Sequence, residues 1–189
     1  MQNLSIRNAA PGPGTIFFYP AANLPYKNHD CVYKAAEELL RVNKDAVFKI
    51  VLTIEPTGPT VEDLRTKSIQ PHFEFIGSIP FSEVLRYYET CTALLFPSYI
   101  ETFGLPLAEA AQMGVPVLAA NLPYAYEVLQ GYQGAVWLPY DDPKAWAKAM
   151  ERLLGVQKRY PPPEVQKEDG WSEFAGLMKK YAYQRSGQR

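Results

Sequence analysis

Pro97-Ser98-Tyr99-Ile100-Glu101-Thr102-Phe103-Gly104-Leu105-Pro106-Leu107-Ala108-Glu109-Ala110-Ala111 decides the fold, together with the run Ala93-Leu94-Leu95-Phe96 that leads into it. Four apolar residues without a break read as a strand covered on both faces. Gly104 and Pro106 end the extended run, and a helix starts near Pro106. Proline suits that place because its φ is already helical and the N–H it lacks would have no intrahelical partner. The stretch is therefore strand, polar loop, helix N-terminus. Such a junction turns free backbone N–H groups and the positive end of a helix dipole into one crevice, which suits phosphate. Two carboxylates flank it: Glu101 in the loop and Glu109 about one turn into the helix.

Outward from this junction, strands and helices alternate. Residues 15–19 (Thr-Ile-Phe-Phe-Tyr) are continuously apolar and predict a buried parallel strand. After a loop to Lys27, Asn28 is placed to cap a helix to about Val42, with Val32, Ala35, Ala36, Leu39 and Leu40 at helical spacing. Strands follow at 46–54 and 72–77, with a short helix at 61–67 between them. A helix opens at Pro80 or Phe81, with Pro80 or Ser82 near its cap. Beyond the 105–113 helix, Gly114 marks a left-handed helix end. Strands at 115–119 and 135–138 and helices at 124–130, 143–154 and 171–183 complete the chain. Asp141-Asp142-Pro143 is a helix start, a capping Asp before a first-turn Pro. Six strands alternating with helices predict an α/β fold: a doubly wound, Rossmann-like parallel sheet with helices on both faces. Residues 1–14, with Pro11-Gly12-Pro13-Gly14, read as a linker remnant or loose arm before one domain at 15–189.

The chain is 189 residues long, enough for one domain with its own core. A hydrophobic fraction of 47% against 21% charged residues is that of a soluble globular chain. A net charge of −1 argues against broad electrostatic capture of nucleic acid or anionic membrane. The apolar runs are strand-sized and predict no transmembrane helix. The first residues lack the apolar core of a signal peptide. Cys31 and Cys91 read as reduced, buried thiols of a cytosolic protein. With His29 and His72 the only histidines and no ligand spacing, no metal is expected. Aromatic residues at 13% invite a sugar-stacking reading. Trp137, Trp146 and Trp171, however, fall in strand or helix patterns, and core packing is the expectation for each.

Glu101 and Glu109 form a Glu-x7-Glu spacing, preceded by Phe96-Pro97-Ser98 and followed by Gly114-Val115-Pro116-Val117. In that order these segments resemble the donor-site signature of retaining, family-4-type glycosyltransferases of the two-Rossmann-domain (GT-B) fold. The resemblance covers about residues 15 to 184 and implies the C-terminal, donor-binding half of such an enzyme. It implies that Glu109 accepts hydrogen bonds from the nucleotide's ribose. Glu101 would face the donor sugar, where a carboxylate supports developing positive charge. Phe103, Gly104 and Leu105 would offer backbone N–H groups to phosphate or sugar, Gly104 allowing close approach. Lys27 resembles the family's diphosphate lysine, a catalytic cation for the leaving group. Ile79 matches the position whose backbone bonds the nucleobase, and Ser98 either lines the pocket or caps the loop. Where the family carries a Gly-Arg pair, this chain has Pro20-Ala21, so one cation of the family pattern is missing.

The expected ligand is a GDP- or UDP-linked sugar, bound without a cofactor or metal. The expected partners are an N-terminal acceptor domain outside this chain and a glycan or lipid-linked acceptor, as in polysaccharide or glycoconjugate synthesis. No nucleic acid is expected. The resemblance implies a cytoplasmic location, with peripheral membrane attachment of a full-length enzyme left open. Two alternatives stand beside it: a non-catalytic nucleotide-sugar-binding or scaffolding module, favoured by the absent Arg, and a sugar-nucleotide epimerase of the same fold.

Overall fold

All six apolar runs become strands, and the strands form one sheet. The structure, a computed structural model, describes residues 14–56, 69–163 and Gly176. The strands are β1 (Thr15–Tyr19), β2 (Phe48–Leu52), β3 (Phe73–Phe75), β4 (Ala93–Phe96), β5 (Val117–Ala120) and β6 (Ala135–Leu138). They lie in the order β3-β2-β1-β4-β5-β6, every pair parallel. β1, β4 and β5 are buried along their whole length, as strands with helices on both faces must be. The edge strands β3 and β6 are only partly covered. This is the expected doubly wound, Rossmann-like sheet.

Among residues 14–56 and 69–163 the α-helices are α1 (His29–Val42), α2 (Phe81–Thr90), α3 (Leu105–Gln112), α4 (Pro123–Val128) and α5 (Pro143–Glu151). α1 packs against α5. Trp146 of α5 is fully buried, and its indole N–H donates to Pro139 O at 2.8 Å, so the ring leaves no unmet donor in the core. Trp137 packs against the core from edge strand β6, half-buried, and stacks on Tyr126 at 4.1 Å. Asp142 caps α5 as read, accepting from the N–H groups of Lys144 and Ala145.

Asn28 corrects the sequence reading. It sits at the α1 N-cap, but in the left-handed region (φ 57°, ψ 42°), and its side chain makes no capping bond. The amide instead donates to Pro97 O at 3.1 Å and to Tyr140 O at 2.8 Å, tying together the loops after β1, β4 and β6. Left-handed backbone directs the side chain away from the first turn, and asparagine tolerates that conformation better than most residues. The second and third strands are also shorter than their apolar patterns. The helices read at 61–67 and 171–183, Trp171 and all but Gly14 of the loose arm read at 1–14 lie outside the described residues, Gly176 apart.

After α5 the chain runs back over the opposite end of α2. The Arg159 guanidinium donates to Tyr88 O at 3.2 Å, Glu89 O at 2.9 Å and Cys91 O at 3.0 Å. Carbonyls at a helix C-terminus have no intrahelical donor, and a cation satisfies both their lone pairs and the dipole. Tyr160 N–H then donates to Gly114 O at 2.9 Å. Gly114 has φ +69°, and a Cβ there would stand 2.5 Å from Tyr160 O, so only glycine lets the arm lie this close.

Candidate functional site

The sheet order reverses direction between β1 and β4. β1 leads through α1 to β2 on one side, while β4 leads through α3 to β5 on the other. Loops leaving the carboxyl ends of two such strands diverge and open a crevice. Here the loops after β1 and β4 also hold each other. Tyr99 N–H and Ser98 Oγ both donate to Tyr26 O, at 3.0 and 3.1 Å, and Tyr19 Oη donates to Lys27 O at 2.6 Å. Ser98 is fully buried, and its hydroxyl also lies 3.3 Å from Ile100 O. These bonds hold the loop after β4 against the loop after β1. Tyr124 of α4 donates to Ser98 O at 2.6 Å and fastens the same loop from the far side.

These bonds bring Lys27 to Glu101. Lys27 Nζ stands 2.6 Å from Glu101 Oε1, with the side chains only 17% and 8% exposed. The ammonium also lies 5.4 Å from the Tyr26 ring centre and 5.9 Å from that of Phe96. A cation so placed gains from the ring faces as well as from the carboxylate. Glu101 in turn pushes the neighbouring Tyr19 and Tyr124 phenols upward, adding to the larger effect of their burial. The two loops therefore carry one cation and one anion in contact, largely screened from bulk water.

Gly104 precedes α3 at φ +79°, ψ 49°, and a Cβ there would meet Leu107 Cδ1 at 3.2 Å. Its left-handed conformation turns the chain into the helix, and Leu107 N–H bonds back to Gly104 O at 2.9 Å. Leu105, the first helical residue, has an exposed side chain, and Phe103 is half-buried. Glu109 lies on the next turn, 8% exposed. Tyr88, fully buried on α2, donates its hydroxyl to Glu109 Oε2 at 3.0 Å. Burial raises the Glu109 carboxyl above its ordinary range, and the hydrogen bond from Tyr88 partly opposes that rise. Ile79 is half-buried, packed on the core in the loop between β3 and α2.

On the other side of the β1 loop is a cavity of about 300 Å³ lined in part by Asn23, His29, Tyr33, Glu55 and Phe75. His29 is 6% exposed, and its Nε2 has no hydrogen-bond partner. Burial, with the Lys27 ammonium second, lowers its pKa to about 4, so the imidazole is neutral at physiological pH. Lys27, Glu101 and Glu109 do not line this cavity. Among the described residues, no group of three or more His, Cys, Asp and Glu side chains is placed to hold a metal ion, and no helix is long and apolar enough to cross a membrane.

Sequence reading missed Tyr88, the neutral His29 and the cross-loop role of Asn28. Tyr88 had a signal. It falls three residues after buried Leu85 on the inner face of a helix, and a buried phenol there requires an acceptor.

Comparisons with known proteins agree with this architecture. The chain is 31% identical over 138 residues to the D-inositol 3-phosphate glycosyltransferase of Corynebacterium diphtheriae, covering 68% of this chain and 32% of the relative. It is 34% identical over 79 residues to the O-antigen chain mannosyltransferase RfbU of Salmonella typhimurium, covering 42% of this chain and 22% of that protein. The chain thus spans about a third or less of the curated relatives it matches. Among solved structures, a mutant of S. aureus TarM in complex with fondaparinux, α-GlcNAc-glycerol and UDP superposes with a TM-score of 0.65 at 15% identity, over 94% of this chain and 34% of that one. The family model described as "Glycosyl transferases group 1" matches residues 2–164, which is most of the chain. On that match the chain belongs to the group 1 glycosyl transferases.

Proposed function

We propose that this chain is the donor-binding half of a retaining glycosyltransferase, which moves a sugar from a GDP- or UDP-linked donor to a glycan or lipid-linked acceptor. The observation that carries the reading is the Lys27–Glu101 contact at 2.6 Å between the loops at the switch point of the sheet, one loop from Glu109. Breaking a glycosidic bond to a diphosphate separates charge: negative on the leaving phosphate, positive on the sugar ring. A cation and an anion fixed side by side match that separation, and little exposure to water strengthens both effects.

In this reading Lys27 and the α3 amides hold the diphosphate in place of a metal, Glu109 accepts from the ribose, and Glu101 faces the donor sugar. The Ile79 backbone borders the nucleobase. The acceptor is held by a second domain that this chain does not contain. A TarM mutant solved with UDP shares the fold and supports a nucleoside diphosphate as the common ligand element. A relative named as a mannosyltransferase keeps a GDP-linked donor in view beside it.

The second reading, a nucleotide-sugar-binding module without catalysis, is favoured by Ala21. That buried residue stands where the resemblance calls for an arginine. One experiment orders the possibilities. Thermal melting of the chain is followed with GDP, UDP, ADP and their sugars, with Glu109→Ala as control. A rise of several degrees with GDP or UDP, lost in Glu109→Ala, is expected, without sugar transfer by this chain alone. No shift with any nucleotide refutes the donor-site assignment. Transfer by the isolated chain refutes the split site. Joining the chain to an acceptor domain and finding neither transfer nor donor hydrolysis favours the binding module.

A further inference from the structure

Tyr88 belongs to α2, away from the loops that carry the site. Its ring is completely buried, and its hydroxyl has two oxygens in reach: Glu109 Oε2 at 3.0 Å and Pro106 O at 3.5 Å. The shorter contact is the effective bond, since a donor at 3.5 Å contributes little. A glutamate in the second turn of a helix ordinarily keeps several rotamers, and binding through it costs the entropy of choosing one. A buried ring that cannot move removes that choice in advance. A carboxylate has about four acceptor positions, and the phenol takes one of them on Oε2.

We propose that Tyr88 is a positioning residue for nucleotide binding: it anchors Glu109 by Oε2, so that Oε1 receives the vicinal ribose hydroxyls of the ligand. This rests on the assignment of Glu109 to the ribose made above. Two consequences follow from the geometry. The anchored carboxylate distinguishes a ribonucleotide from its 2′-deoxy analogue, because loss of one hydroxyl leaves a fixed, mostly buried acceptor short of a donor. The phenol also favours the ionised form of Glu109. Burial pushes the carboxyl upward, and the Tyr88 hydrogen bond is the opposing influence. Among the described residues, the titratable and charged groups next to this pair are Cys91 at the end of α2 and Arg159 of the returning arm, whose guanidinium sits on the Tyr88 carbonyl. Without the hydroxyl, burial acts unopposed, and Glu109 takes up its proton at a higher pH.

The test is calorimetric titration of the full chain with GDP, UDP and their 2′-deoxy forms between pH 5 and 8. Wild type, Tyr88→Phe and Glu109→Ala are compared. Tyr88→Phe is expected to weaken ribonucleotide binding about 10- to 100-fold, as loss of one hydrogen bond to a charged group does. It is also expected to shrink the ribo-to-deoxy ratio and to move the acid limb of affinity to higher pH. A purely structural role would not move that limb or that ratio. Difluorotyrosine incorporated in place of Tyr88, a stronger donor of nearly the same shape, moves the limb to lower pH and tests the point even where Tyr88→Phe unfolds. If Glu109→Ala abolishes the ribose preference while Tyr88→Phe keeps the wild-type ratio and limb, the positioning role is overturned and the Glu109 assignment survives. If Glu109→Ala leaves both affinity and ratio unchanged, the ribose assignment itself falls and takes this inference with it.

Discussion

Acidification should destabilise this chain through His29. The imidazole has an ordinary pKa near 6.5 and is lowered to about 4 in the folded chain, by burial first and by Lys27 second. Because the folded value is the lower one, the unfolded chain takes up the proton first. Stability from the neutral ring is therefore complete above pH 6.5 and is lost as the pH falls toward 4. At about 1.4 kcal/mol per pKa unit the full loss is about 3 kcal/mol, of which about 2 kcal/mol is gone by pH 5. That is a large part of the 5–15 kcal/mol typical of a folded domain. Glu109 works in the opposite sense. Its folded carboxyl is raised, so it gives stability as the pH falls and masks part of the loss. The comparison that isolates His29 is urea unfolding of wild type and His29→Phe at pH 7, 6 and 5. Phenylalanine keeps a flat ring between Tyr19 and Tyr33. The variant should lose about 2 kcal/mol less than wild type between pH 7 and 5. Equal losses in both proteins, or a His29 ring that titrates near 6.5 by NMR, would refute the reasoning.

Three further outcomes are open to measurement. Lys27→Met leaves the Glu101 carboxylate, 8% exposed, without its counter-ion. It should cost about 3 kcal/mol in urea unfolding, with Glu101→Gln on the same background recovering most of the loss. Gly104→Ala forces a side chain onto a left-handed residue and brings Cβ to 3.2 Å from Leu107 Cδ1. A loss of about 1–2 kcal/mol is expected, together with a smaller nucleotide-induced melting shift. A neutral effect on both would mean the loop does not depend on that turn. Cys31 and Cys91 are buried, and burial pushes each thiol up to about 12. Both should resist disulfide-exchange reagents at pH 8 until the chain unfolds, and prompt labelling of the native chain would contradict their burial.

Much of the sheet was legible because central parallel strands are apolar on both faces and read as unbroken runs; Phe17, Phe18, Leu94 and Leu95 are fully buried as that pattern requires. The Asp142 cap and the Gly104 turn were equally legible, since each is set by residues within a few positions. What could not be read were contacts created by the order of the strands. Lys27 and Glu101 are 74 positions apart, and Asn28 reaches Pro97 and Tyr140 across 69 and 112. Local propensity assigned Asn28 to its own helix. The crossing of three loops at the switch point claimed its side chain instead. Tyr88 escaped for a similar reason: helical spacing placed it inside, while its acceptor lies on the next helix along.

The Arg159 clasp on the end of α2 has a mechanical meaning. Its guanidinium grips the carbonyl of Tyr88 itself, besides those of Glu89 and Cys91. The residue whose hydroxyl donates to Glu109 is thus moored by its backbone to the returning arm. A pull on that arm would be felt at the Glu109 carboxylate by way of Tyr88, like a guy-rope tightened on the far side of the mast.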